Sequence, residues 1–488
     1  MAMKKVPFVG RTVAIAALLA GLTLSPAPAM AKSSTTDVAD SSFTLTNIAA
    51  GDVVNAYQVF DANIDGTNNL TYTSKVTGLP EAYDTVEKMQ SEKDGRKLAN
   101  AISATVLASP GTPNQRATAG SNGQATLSLD SGYWLVVVTS KSGVTKVYQT
   151  LLVDATPDVL NGAYVTKTLE PTAAKTQEVP APDKKIVDAN GSAGQSSNSY
   201  GVGDTARFQI SATIPNYPAD ATSVTYSVTD QPDAGLSVDL SSFKVTNGDD
   251  TLKEGRDRDY TVKDNDDHTY TVHFTHNYIV AHPGQTVTIT YGAKVTAVNM
   301  ETGKVGNKAF GTFSPNPYSQ GNVNTKPKDP WAQTYGFSFR KLGDKNAALA
   351  GAQFTVTDAA GKPVTYVDAS GTAHTDGVVA SDSNGYVYVN GLKAGTYKVS
   401  ETKVPSGYQK IADFTVELSA DSAKSDTLAT DGVTETNFNV STPDKVDPKQ
   451  GVLPTTGGAG TIALTAGGVL LVVGGGIVVA RFRNREQD

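Results

Sequence analysis

Cysteine is absent from all 488 residues, which excludes disulfides, thiolate metal centres and cysteine nucleophiles together. Histidine is scarce: five residues leave few imidazole ligands or general bases. No block of basic residues stands out, and 41 Lys+Arg against 48 Asp+Glu give a net charge of −7, so a role that depends on neutralising phosphates has little to work with. Glycine-rich phosphate loops, a Ser-His-Asp set and a His-x-x-x-His pair are also missing, and no carboxylate pair of the kind a glycosidase needs has support, so the chain reads as no turnover enzyme and calls for no cofactor. What is present is enough to fold. Hydrophobic residues make up 39% and charged residues 18%, and the length implies about three domains at roughly 150 residues each.

Both ends read as targeting segments. Lys4, Lys5 and Arg11, an apolar run over residues 12–24 and Ala29-Met30-Ala31 follow the order of a secretory signal, so residues 1–31 are expected to be removed and the mature chain to start at Lys32. At the other end, residues 457–480 carry no charge and would span about 36 Å as a helix, enough to cross a bilayer. Arg481, Arg483 and Arg485 follow and belong on the cytoplasmic side, which places the rest of the chain outside. The signal carries +3 and the segment after Thr456 carries +1, leaving an acidic ectodomain of −11 over residues 32–456.

Between these ends, short alternating runs such as Thr286-Val287-Thr288-Ile289-Thr290-Tyr291 and Tyr386-Val387-Tyr388-Val389 are punctuated by Gly, Pro, Asn and Asp, the pattern of an all-β chain. One amphipathic helix is expected within residues 82–107, where Val86, Met89, Leu98, Ile102, Val106 and Leu107 recur at near-helical spacing. Proline-rich stretches at residues 170–182 and 314–330 divide the mature chain into domains at 32–178, 179–328 and 329–445, with residues 446–488 forming linker, sorting signal, span and tail. Asp61-x-Asn63-x-Asp65-Gly66 opens like a calcium loop, but its twelfth position is Tyr72, and a hairpin turn accounts for the same residues. Asp264-Asn265-Asp266-Asp267 reads as another turn.

Leu453-Pro454-Thr455-Thr456-Gly457 stands directly before the apolar span and resembles the sorting signal of Gram-positive surface proteins. The resemblance implies that a sortase cleaves between Thr456 and Gly457 and passes the Thr456 carbonyl to an amine. Pro454 keeps Leu453 out of helix and the site extended.

In the third segment, Phe337, Phe339 and Lys341 share one parity on a predicted strand, so Lys341 points where the core lies. The run from Gly395-Thr396-Tyr397 to Gly407-Tyr408 looks like the pilin E-box, with Glu401 as its acid. With Gly351-Ala352-Gln353-Phe354, the segment resembles the collagen-adhesin B-type domain. In that family a strand lysine condenses with an asparagine near the last strand, promoted by the acid, into an intramolecular isopeptide bond. The resemblance assigns Lys341, Glu401 and either Asn439 or Asn437, with Asn439 preferred for its place near the exit. An apolar core would lower the lysine pKa and raise the carboxyl pKa, which supplies a neutral amine and an acid that polarises the amide.

The middle segment repeats the constellation more loosely. Lys184-Lys185-Ile186-Val187, Tyr226-Ser227-Val228-Thr229-Asp230 and Val305-Gly306-Asn307 resemble the A-type relative, which assigns Lys184 or Lys185 as amine, Asp230 as acid and Asn307 as amide. In the first segment, Phe43 to Asn47 can be laid on Phe337 to Lys341, and Asn122-Gly123 with Gly132-Tyr133-Trp134 on Asn384-Gly385 with Gly395-Thr396-Tyr397. Lys341 then falls on Asn47 and Glu401 on Val138, so a related sandwich without an isopeptide is expected. Lys175, at the end of the first domain in the run Lys175-Thr176-Gln177-Glu178-Val179-Pro180 that precedes Lys184, resembles the pilin-motif lysine that receives the sortase acyl group, and Lys167 is the alternative.

The reading is a shaft (backbone) pilin of a sortase-assembled fimbria: all-β, with three tandem immunoglobulin-like β-sandwiches between a signal peptide and a transmembrane sorting segment. Its expected partners are a sortase, neighbouring pilin subunits and peptidoglycan. The rival is a monomeric wall-anchored adhesin that binds a host glycan or matrix protein.

Overall fold

The computed structural model describes residues 38–65, 67–141, 145–188, 199–300, 302–419, 439–442 and 444–449. The expected signal peptide, Asn437, the sorting pentapeptide and the expected span lie outside them. Among the described residues no helix is long and apolar enough to cross a membrane.

Strands dominate, in three successive units. In the first, Thr172–Ala173, Ser41–Thr46 and Ala125–Leu129 form one sheet, and Leu70–Ser74, Val53–Ile64, Gly132–Thr139 and Leu151–Asp154 form the other, with Gln115–Thr118 added to Val53–Ile64. The Gly132–Thr139 strand is apolar at consecutive positions because both of its faces are covered. Trp134, Val136 and Val138 face the core between the sheets, whereas Tyr133, Leu135 and Val137 face a helical layer. That layer is two helices, Val86–Ser91 and Gly95–Ala108, in place of the single one expected. The break has a local cause: Asp94 caps the second helix by accepting from the backbone N–H groups of Arg96 and Lys97, as Thr85 caps the first through Lys88. Both Asp-rich stretches are hairpin turns, with Ile64 opposite Leu70 and Asp264 opposite Tyr270. Asp65 accepts backbone N–H groups from Thr67 and Asn69.

The middle unit is a sandwich of two six-stranded sheets. One runs Asp183–Val187, Thr205–Thr213, Thr286–Val295, Lys244–Asn247 and Asp250–Thr251, and the other Tyr260–Asp264, Tyr270–Phe274, Tyr226–Pro232, Lys304–Phe313 and Val323–Asn324; Leu236–Val238 and Trp331–Gln333 complete them. One apolar core lies between. Residues after Lys304–Phe313 also reach back: Tyr318 is buried in the helical core of the first unit, and its hydroxyl donates to Asp220, which also accepts from Asn100.

The last unit packs a four-stranded sheet (Val378–Ala380, Gln353–Thr357, Gly395–Lys403, Phe414–Leu418) on a six-stranded one that contains Tyr366–Val367, Tyr386–Leu392 and Tyr335–Leu342. Here Tyr335–Leu342 pairs in parallel with Asn439–Ser441 and Lys445–Val446. The first unit repeats this, Ser41–Thr46 running parallel to Thr172–Ala173. The glycines laid on one another in the two units share unusual backbones: φ is +71° and +80° at Gly123 and Gly385, and +138° and +154° at Gly132 and Gly395. The last unit also extends further than the expected boundary at 445, because Asp447 is buried in it and Lys449 pairs with Asp344.

Candidate functional site

Phe337, Phe339 and Lys341 are all at most 1% exposed, on a strand whose intervening Ser338 is buried as well. Gly385 holds the end of this strand, since its carbonyl accepts from the Lys341 N–H at 2.6 Å and a Cβ there would come within 2.4 Å of the Lys341 carbonyl oxygen. The amine of Lys341 meets two buried carboxyl groups. Asp447 contacts it directly, and Glu401 Oε1 lies 3.6 Å away, reaching across from the facing sheet. Glu401 Oε2 accepts the Ile411 N–H, while Glu401 Oε1 and Asp447 Oδ2 have no hydrogen-bond partner. Burial raises the Glu401 pKa, the neighbouring Asp447 pushes the same way, and the Ile411 N–H and the Lys341 amine oppose them.

Asn439, the preferred amide, is not beside Lys341. It pairs with Gly336, five residues earlier on the strand, which at about 3.3 Å per residue is some 16 Å along the sheet and beyond the reach of a lysine side chain. Lys341 pairs instead with Lys445, and Asp447 follows two positions later, with its N–H donated to the Leu342 carbonyl. Ending the domain at 445 and reading the residues from 446 on as linker concealed Asp447.

The middle unit gathers its three assigned residues. Lys184 is buried on its strand whereas Lys185 is half-buried, which separates the two alternatives. The Lys184 amine contacts Asp230 Oδ1 and donates to the Lys308 carbonyl at 3.2 Å, one peptide unit from Asn307. It also lies 5.1 Å and 5.7 Å from the ring centres of Phe208 and Tyr291. Asn307 is fully buried; its Nδ2 donates to the Tyr291 hydroxyl at 2.9 Å, and its Oδ1 has no partner. Burial lowers the Lys184 pKa to about 8 against the pull of Asp230, and burial raises that of Asp230 against the pull of Lys184. The pair is thereby driven toward a neutral amine and a protonated acid, the two states that condensation with an amide requires. Here the amine comes from one sheet and the acid and amide from adjacent strands of the other, whereas in the last unit the amine and Asp447 share a sheet.

In the first unit Asn47 stands just past the strand with φ +60° and donates to the Ala174 carbonyl, and Val138 is buried in the apolar core. No amine and acid meet at these two positions. Lys167 is held by Asp154, Nζ to Oδ2 at 2.7 Å, with both side chains at most about 10% exposed. Lys175 is half-exposed between two extended pieces, Thr172–Ala173 and Thr176–Glu178, the second of which pairs with Lys146–Tyr148 at the junction with the middle unit.

Residues 336–432 match the model of the SpaA prealbumin-like fold domain, and residues 445–488 match the LPXTG cell wall anchor motif. The second match is to a cell-wall anchor of Gram-positive proteins, which places the chain at the wall of a Gram-positive surface. Among its relatives is a type 2 fimbrial subunit of Actinomyces naeslundii, 27% identical over 352 residues, which are 63% of this chain and 62% of the relative. The T6 backbone pilin of Streptococcus pyogenes serotype M6 aligns with a TM-score of 0.62 at 18% identity, over 86% of this chain and all of the other. The SpaA major pilin of Corynebacterium diphtheriae aligns at 0.51 and 16% identity, over 84% of this chain and all of the other.

Proposed function

We propose that the chain is the structural shaft subunit of a covalently polymerised surface pilus. A sortase cleaves after Thr456 and joins its carbonyl to Lys175 of a neighbouring subunit, and the finished polymer passes to peptidoglycan. The observation that carries this reading is the pair of buried lysines, Lys184 and Lys341, each enclosed with a buried carboxyl group in an apolar core beside a chain terminus of its unit. A buried ion pair is a poor source of stability, but an amine, an acid and an acyl donor gathered in one core form a self-condensing site.

In the middle unit Lys184 condenses with Asn307, Asp230 serving as acid, and ammonia leaves. In the last unit Lys341 condenses with Asp447, Glu401 serving as acid, and water leaves. The C. diphtheriae SpaA pilin, described as a modular pilus assembly with stabilising isopeptide bonds, supports the assignment by likeness of fold. Lys175 is favoured over Lys167 because its amine is not committed to a buried ion pair. Detergent-boiled wall extracts test the function: a high-mass ladder is expected, and wall-bound monomer alone would favour the adhesin.

A further inference from the structure

A fourth polar side chain, Tyr291, closes the ring of Lys184, Asp230 and Asn307. Its ring is clamped in a stack, 4.6 Å from Phe243 and 5.5 Å from Phe208, and its hydroxyl is the hydrogen-bond partner of Asn307 Nδ2. That nitrogen is the atom that must leave. Resting on the isopeptide reading above, the chemistry has a definite proton balance. Neutral Lys184 Nζ attacks Asn307 Cγ, a C–N bond forms, and the attacking nitrogen must lose a proton. The Cγ–Nδ2 bond then breaks, and Nδ2 must gain a proton to depart as ammonia, since an amide anion is far too poor a leaving group.

Asp230 is in contact with the amine, so once it has given up its own proton its carboxylate takes the one the attacking nitrogen loses, yet the proton that Nδ2 gains is required at an atom hydrogen-bonded to Tyr291. We propose that Tyr291 is a catalytic proton relay: its hydroxyl proton passes to the departing Nδ2 while its oxygen recovers a proton from Asp230. One C–N bond forms and one breaks, ammonia is released, and both Asp230 and Tyr291 return to their starting states.

Two further observations fit this route. Asp230 Oδ2 has no hydrogen-bond partner, and Tyr291 and Asn307 both face the carboxyl group closely enough to draw its pKa down against the larger effect of burial. Tyr291 accepts from the planar amide Nδ2, and once Cγ becomes tetrahedral that nitrogen carries a lone pair to which the same hydroxyl can give its proton. Burial also holds the phenol pKa well above its ordinary value, so the hydroxyl rests as a donor and never as phenolate.

The test follows closure in the full extracellular chain after a short pulse of synthesis, by the mass of the proteolytic fragment that joins Lys184 to Asn307. Tyr291→Phe keeps the ring in its stack and is expected to slow closure by about 100-fold. Phe243→Leu loosens the stack and leaves the hydroxyl, and is expected to close at nearly the wild-type rate. Wild-type speed in Tyr291→Phe, or equal slowing in Phe243→Leu, would overturn the relay. A wild-type chain that never loses ammonia between these two residues would instead overturn the isopeptide reading on which the relay rests.

Discussion

Lys341 and Asp447 meet across the parallel ladder that joins the opening and closing strands of the last unit, with Glu401 reaching them from the facing sheet. An aspartate in the place of an amide changes the leaving group and hence the expected mass. The extracellular chain should weigh less than its sequence by one ammonia and one water. Glu401→Ala and Asp447→Ala should each restore the water, and Asn439→Ala should leave both losses in place. A mass equal to the sequence would dismiss both bonds.

The pH dependence of the unclosed middle unit has a defined sign. In Asn307→Ala, Lys184 keeps a folded pKa near 8 against about 10.4 unfolded, so between these values the unfolded chain binds more protons. Stability should therefore rise as pH increases from 8 to 10, by up to about 3 kcal/mol. The closed wild type has no amine to titrate and should lack this rise in denaturant titrations. A flat profile in Asn307→Ala would mean that Lys184 is not desolvated.

The first unit has no amine and acid at its equivalent positions and should be the first lost to trypsin, leaving a resistant middle and last unit. Tyr318 lies beyond Lys304–Phe313 in sequence but is 2% exposed in the core of the first unit. Tyr318→Ala should cost that unit about 3 kcal/mol and speed its loss without affecting the other two. Slower loss of the first unit than of the others would contradict the assignment.

The two lysines near the junction should separate in function. Lys175→Ala should abolish the ladder and leave wall-attached monomer, and the wild-type polymer should yield a branched peptide that joins Thr456 to Lys175. Lys167→Ala breaks the ion pair with Asp154 and should destabilise the first unit by about 3 kcal/mol, while any folded chain still forms the ladder. A branched peptide at another lysine would displace Lys175.

Much of this was legible in the sequence because alternation reports burial directly. Phe337, Phe339 and Lys341 declared their face, and so did Lys184 between exposed Asp183 and half-buried Lys185. Tandem sandwiches followed from strand punctuation, and both acids from motifs. Asp447 was hidden because a parallel closing strand pairs with a residue just over a hundred positions upstream, so its register depends on non-local contacts that no local pattern encodes. Tyr318 was hidden for the same reason, as a residue whose core belongs to another unit. Tyr291 looked like one more strand aromatic, and only the placement of Asn307 beside its hydroxyl distinguishes it.

The position of Lys175 bears on why only two of the three units carry the amine and acid. If each subunit is pulled between Lys175 and Thr456, tension enters the middle unit at Lys184, crosses to Asn307, follows the chain to Lys341 and leaves through Asp447. Residues 185–306 and 342–446 become closed side loops, off the taut line, and their hydrogen-bonded sheets carry none of the strain. Only the short last strand of the first unit, Thr176–Glu178, lies on that line, and all of the unit before Lys175 hangs outside it, like a pennant on a rope. It needs no cross-link to survive shear, and its surface is free to vary without weakening the fibre.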